Sequence, residues 1–180
     1  MNEGGKNFSD VTGSTGTGHL QKGHGIAFAD IDNDGDQDIY ASLGGGFYGD
    51  AFWNALFENP GNTGSVLYLI LKGKNSNSSS IGAKIKLTIK DSLGIQRNIF
   101  REVNSGGSYG ANPFRQEIGL GNAQKIVNVE ISWPVSKMKI NYSNLEPGKY
   151  YVITEGQLKA EEMMLKKTTF SSTGTKHSCH

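Results

Sequence analysis

The sequence predicts an all-β protein in two units, on three observations. Glycine is abundant (25 of 180 residues) and proline sparse (4), which suits a turn-rich globular chain. From about residue 65, seven segments rich in Ile, Val, Tyr and Phe follow one another between turn signals, the pattern of an antiparallel β-sandwich or closed barrel. Before that point the apolar runs are short and separated by Gly- and Asn-rich stretches, which reads as a hairpin or a single sheet of few strands.

In chain order, the first unit spans residues 1–64. Its turns are "NEGGKN", "TGSTGTG", "NDGD", "LGGG" and "NPGNTG", and its strand candidates are "GIAFA" and "DIYASL". A sheet this small is marginal alone. The second unit, residues 65–156, contains "VLYLILK", "AKIKLTIK", "IQRNIFREV", "RQEIGL", "IVNVEISW", "KMKINY" and "YYVIT". In "AKIKLTIK" strict alternation assigns Ile85, Leu87 and Ile89 to a core face and Lys84, Lys86, Thr88 and Lys90 to water. Trp133 closes a strand as a core residue, with Pro134 preventing its continuation. Residues 157–180 form a tail, expected as a short helix around Leu158–Lys167 followed by disorder.

The densest chemical signal is "FADIDNDGDQDIYAS". Five of the chain's eight aspartates, Asp30, Asp32, Asp34, Asp36 and Asp38, alternate within nine residues. Like charges so close repel by about a kcal/mol per pair even in water, so the segment calls for a cation. Calcium takes six to eight oxygen ligands in flexible geometry and is the expected cofactor. Magnesium demands tighter octahedral geometry, and zinc prefers nitrogen and sulfur. Asp30, Asp32 and Asp34 stand at positions one, three and five, Gly35 at the sharp turn, Asp36 at seven for its main-chain oxygen, and Asp38 at nine. Position twelve is Ala41 rather than the glutamate of an EF-hand, and β-like flanks replace its helices.

Other features argue against catalysis. His24, near the acidic loop, has no Ser or Cys nucleophile with supporting partners beside it and reads as a turn or partly buried histidine. "LGGGFYGD" lacks the Lys-Ser/Thr ending of a phosphate-binding loop. The tail's His177, Cys179 and His180 make no preformed metal site. Tyr48, Phe52 and Trp53 are expected chiefly as packing residues, with stacking on sugar rings as the other reading. Tyr48, Trp53, Ser108 and Tyr109 are the candidate ligand-binding residues. The formal net charge is +1, and setting aside the five loop aspartates leaves about +6, scattered along strands rather than clustered with aromatics; nucleic-acid binding is not expected. No apolar run approaches the ~20 residues of a membrane helix, so no membrane span is expected. A single cysteine excludes an internal disulfide. "NEGGKNFSD" after Met1 is no signal peptide, so an exported protein would contain this chain as a downstream piece.

"NEGGKNFSDVT" with "GHGIAFADIDNDGDQDIYAS" resembles an FG-GAP/VCBS repeat, a blade of integrin-type β-propellers. That resemblance implies a partial propeller-like blade with Asp30, Asp32, Asp34 and Asp38 as calcium ligands and Asp36 contributing its main-chain oxygen. "SNSSSIGAKIKLTI", "REVNSGGSYGANPFRQEIGLG" and "VEISWP", across residues 66–155, resemble the ASPIC/UnbV domain of secreted cartilage acidic proteins and bacterial exported proteins. Here Ser78 replaces the family's usual Arg, and Ser136 and Lys137 stand where it has Gly. Together these imply a non-enzymatic, calcium-binding extracellular adhesion or interaction module. It would be secreted, cell-surface or periplasmic, with an extracellular protein or glycan as partner. The alternatives are a carbohydrate-binding accessory domain and the C-terminal remnant of a larger exported enzyme. Propellers need about four to eight blades, so a lone blade is expected to self-associate through exposed strand edges.

Overall fold

The computed structural model describes residues 1–3, 5–59, 61, 64–107 and 109–168, and the described residues form strands and turns with no helix. The first unit opens with a two-residue pair, β1 (Asn2–Glu3) and β2 (Asn7–Phe8). β3 (Gly23–Ala29), β4 (Asp38–Leu43) and β5 (Ala55–Phe57) then form an antiparallel meander. The aspartate segment is the connection between β3 and β4. Ala41 and Leu43 are the buried apolar side chains of this sheet, while Ile26, Phe28, Tyr40 and Leu56 are exposed.

The second unit has two four-stranded sheets. β6 (Ser65–Lys72), β9 (Gln116–Gly121), β12 (Tyr150–Thr154) and β13 (Glu161–Met163) form one, in the order β13-β12-β6-β9. β7 (Lys84–Asp91), β8 (Gln96–Glu102), β10 (Ala123–Ser132) and β11 (Lys139–Tyr142) form the other, in the order β11-β10-β7-β8. Leu67, Leu69, Ile118 and Ile153 of the first sheet and Ile85, Leu87, Val129 and Ile131 of the second enter one buried cluster. Ile85, Leu87 and Ile89 are buried and Lys84, Lys86 and Lys90 exposed, as the alternation predicts. Trp133 is likewise core.

The architecture decides one open alternative and departs from expectation in two respects. The sheets stay open instead of closing into a barrel, with β8, β11, β9 and β13 at their edges. The antiparallel pattern is broken by β6 and β12, which run parallel with Tyr68 opposite Tyr150. β6 opens the unit and β12 nearly ends it, so the intervening chain provides the long crossover that a parallel pair requires. The helix expected at Leu158–Lys167 is replaced by β13, paired antiparallel with β12 from Tyr150↔Met163 to Val152↔Glu161. Lys149 anchors the strand by ion pairs with Glu162 (3.1 Å) and Glu146 (3.0 Å). Edge pairing with an existing strand outweighs the high helix propensity of "KAEEMM", which is worth only tenths of a kcal/mol per residue. Residues 169–180, with His177, Cys179 and His180, lie outside the described residues.

Immediately after β12, Glu155 (2% exposed) gathers the loop that follows β6. Its Oε2 accepts the N–H groups of Lys74, Asn75 and Ser76, each at 2.7 Å. Its Oε1 accepts the hydroxyls of Ser76 (2.8 Å) and Ser136 (2.6 Å). Burial alone would raise the pKa of this carboxyl. The hydrogen bonds from Ser136, Ser76 and Lys74 outweigh it and hold the group at about 2.

The two units touch along the edge of β3. The Phe28 N–H donates to Asn112 Oδ1 at 2.9 Å. The loop preceding β9 approaches so closely that a Cβ at Gly110 would stand 1.9 Å from the Ile26 carbonyl oxygen. One at Gly25 would stand 2.1 Å from that of Tyr109. Only residues without a side chain permit this backbone-to-backbone contact. The β3 edge, expected to be open for self-association, is thus occupied by the second unit.

Candidate metal centre

The Asp30–Gln37 connection folds on itself through its own carboxylates. Asn33 and Gly35 adopt left-handed backbone (φ 59° and 119°), which Asn tolerates and Gly adopts freely. The Asp34 N–H donates to Asp30 Oδ1 (3.0 Å) and Asp32 Oδ1 (3.1 Å), and the Asp36 N–H to Asp34 Oδ1 (3.3 Å). These bonds draw carboxylate oxygens of Asp30, Asp32 and Asp34 within 4.8 Å of one another. Asp30 and Asp32 are buried and Asp34 is exposed.

Two aspartates of the run are placed differently. Asp38 is 2% exposed and spends both oxygens on main chain, Oδ2 accepting the Ile31 N–H (3.0 Å) and Oδ1 the Asn59 N–H (2.9 Å). It braces the two ends of the loop. Asp36 keeps one buried oxygen, Oδ1, without a hydrogen-bond partner among the described residues. Burial, and then the charges of Asp34, Asp38, Asp30 and Asp32, push its carboxyl up to about 6. Asp32 is also raised, by burial first and by its carboxylate neighbours, against the Asp34 N–H that lowers it. The loop therefore concentrates negative charge in a place that disfavours it.

The second unit grips this loop. Arg115, immediately before β9, donates from its guanidinium to the Asp30 main-chain oxygen (2.7 Å) and Asn33 Oδ1 (3.0 Å). The same guanidinium pairs with Glu117 at 2.6 Å. Glu117 accepts the Asp30 N–H (3.2 Å) and Gln37 Nε2 (2.8 Å). The Tyr150 hydroxyl donates to Asp30 Oδ2 at 3.2 Å, and its ring stacks on Tyr68 at 3.9 Å. The Tyr68 hydroxyl is buried without a partner among the described residues. From the tail, the Thr168 N–H donates to the Asp32 main-chain oxygen (2.7 Å), and Lys167 Nζ to that of Asp34 (3.2 Å). A groove of about 590 Å³ runs beside the loop, lined by Asp34, Asp36, Tyr68, Tyr150, Met163 and Lys167 among others.

All side-chain donors in the cluster are oxygens, and within the loop Arg115 and Lys167 donate to main-chain oxygens and to Asn33 Oδ1, not to the aspartate carboxylates. The residues present fit a hard divalent ion such as calcium. The sequence pattern singled out the aspartates and missed Arg115, Glu117, Tyr150 and Lys167. The one local cue was the Arg-x-Glu spacing of "RQE", which puts both side chains on the same face of a strand.

The remaining candidates lie elsewhere. Tyr48 and Trp53 are almost fully exposed and Phe52 half-exposed, so they are not the packing residues the sequence suggested. Their loop is glycine-rich and offers no neighbouring core. Tyr109 contributes its carbonyl to the contact with Gly25 and leaves its ring exposed. Ser108 lies outside the described residues. His24 is exposed on β3 rather than partly buried in a turn. Among the described residues no helix is long and apolar enough to cross a membrane.

Residues 73–160 match the family described as ASPIC and UnbV. The ASPIC/UnbV match covers β7 to β12, including Arg115, Glu117, Tyr150 and Glu155, and leaves the acidic loop outside. No curated protein matches the sequence.

Proposed function

We propose that the chain is a non-enzymatic, calcium-binding extracellular adhesion or interaction module, in which an FG-GAP/VCBS-like blade fragment is joined to the ASPIC/UnbV unit. One observation carries the reading: three carboxylates converge within 4.8 Å, and among the described residues no basic side chain is paired with them. The unpartnered Asp36 Oδ1 and Tyr68 hydroxyl beside them support it, because buried polar groups are normally satisfied. Asp30, Asp32 and Asp34 would supply carboxylate oxygens. Asp36 would contribute a main-chain oxygen, and Asp38 would hold the loop closed. The ion supplies counter-charge, not chemistry. In this reading the protein is secreted, cell-surface or periplasmic, and binds an extracellular protein or glycan.

Calorimetric titration and melting curves with calcium or a chelator test it. A dissociation constant of about 10⁻⁴–10⁻³ M is ordinary for extracellular modules. At about 10 mM calcium such affinity stabilises the fold by roughly 1.4–2.7 kcal/mol. Chelation without effect on the melting temperature, or calcium stabilisation that survives Asp32→Ala with Asp34→Ala, refutes the reading. The exposure of Tyr48 and Trp53 favours carbohydrate binding as the second reading. A glycan array probed with wild type and with Tyr48→Ala and Trp53→Ala together separates the two.

A further inference from the structure

We infer that the acidic loop is not a self-contained cation site but half of a cation-dependent joint, whose other half is the Arg115–Glu117–Tyr150 network of the second unit. The inference rests on the calcium reading above and adds where the affinity comes from.

Both main-chain polar groups of Asp30 are held by one ion pair. Its N–H donates to Glu117 and its carbonyl accepts from Arg115, while Arg115 and Glu117 are bound to each other at 2.6 Å. The pair is well shielded, with side-chain exposures of 16% and 1%. Because Glu117 neutralises Arg115, the guanidinium does not compete with a divalent ion for the carboxylates. Its second arm reaches Asn33 Oδ1 and so fixes the left-handed residue at the loop's turn. Tyr150 holds Asp30 Oδ2 from a third direction, and its place is set by stacking on Tyr68. Asp30 is thereby oriented by residues 85 to 120 positions away. Preorganising a ligand in its bound geometry removes an ordering cost from binding. Binding that depends on the docked arrangement must in turn stabilise docking, since coupling is reciprocal. Arg115, Glu117 and Tyr150 are positioning residues here, not ligands.

The test uses the full chain, calcium as the probe, and two readouts. In calorimetric titration, Arg115→Met is expected to weaken calcium binding at least tenfold and Tyr150→Phe about three- to tenfold. Arg115→Lys, which keeps the charge and loses the fork, is expected not to restore binding. In hydrogen exchange, calcium should slow the Asp30 and Phe28 amides in the wild type and much less in Arg115→Met. In a Trp53→Phe background, native emission from buried Trp133 shows that each variant has kept its core. Should Arg115→Met fail to fold, Tyr150→Phe, which removes a single oxygen, carries the same expectation. Wild-type affinity in the folded variants overturns the inference and leaves the calcium reading intact. A wild type that gives neither calcium heat nor altered exchange overturns both.

Discussion

Replacing Glu155 should reveal a stability term with a defined pH signature. The carboxylate accepts three consecutive main-chain N–H groups and two hydroxyls, joining the loop after β6 to the end of β12 and to Ser136. Its folded pKa of about 2 lies below the ordinary 4.5. The sign follows directly. Below pH 4.5 the unfolded chain takes up a proton that the folded chain refuses, so the contribution is complete above about pH 5 and disappears as pH falls toward 2. A carboxyl held so low is worth on the order of 2–3 kcal/mol at neutral pH, after allowance for water reaching the exposed Lys74 and Asn75. Glu155→Ala also strands the buried Ser76 N–H, bringing the expected loss to about 3–4 kcal/mol. That corresponds to a melting temperature lower by roughly 6–15 °C for a protein of this size. Glu155→Gln can present its carbonyl to the three N–H groups and its amide to the hydroxyls, whose protons rotate to suit, so it should lose only about 1–2 kcal/mol. Urea unfolding between pH 6 and pH 3 reads both effects. The gap between wild type and Glu155→Gln must narrow as pH falls. A gap that stays constant across that range would refute the assignment of the low pKa to this clasp.

Three further outcomes are expected. In chelator, Asp38→Ala should cost about 1–3 kcal/mol, because it frees two N–H groups, whereas Asp34→Ala should be neutral or stabilising, because it removes a repelling charge; equal effects in chemical denaturation would contradict the division of roles within the loop. Gly110→Ala should disrupt the contact with β3, since its methyl would meet the Ile26 carbonyl, and speed hydrogen exchange at Phe28 while sparing β7 and β10; unchanged exchange at Phe28 would count against that packing. Leu87→Ala, at the centre of the shared core, should lower stability by about 2–5 kcal/mol whether or not calcium is present.

What the sequence disclosed is what repeats over short distances. The alternation of Ile85, Leu87 and Ile89 with lysines assigns both faces of β7 without reference to any other strand. The aspartate spacing marks the loop for the same reason, since every term in it is local. The parallel pairing of β6 with β12 has no local mark, because Tyr68 and Tyr150 read as ordinary strand aromatics until they stack. Arg115 likewise reads as a charged residue at a strand start, although its partner Asp30 lies in the other unit. The tail misleads in the opposite direction: Ala160, Glu161, Glu162 and Met163 favour a helix, yet the open edge of β12 and the ammonium of Lys149 offer the segment a better place. Tyr48 and Trp53 suggested packing by composition, but no core reaches their loop.

The parallel neighbours β6 and β12 bear on where this molecule can be divided. The ASPIC/UnbV match begins at residue 73, one position after β6 ends. β6 nevertheless lies between β12 and β9 and contributes Leu67, Leu69 and Leu71 to the common interior. A fragment trimmed to the match would lose an inner strand of its sheet, leaving two unmated borders and an uncovered row of leucine sockets. Such a fragment should aggregate, and one beginning at residue 64 should not.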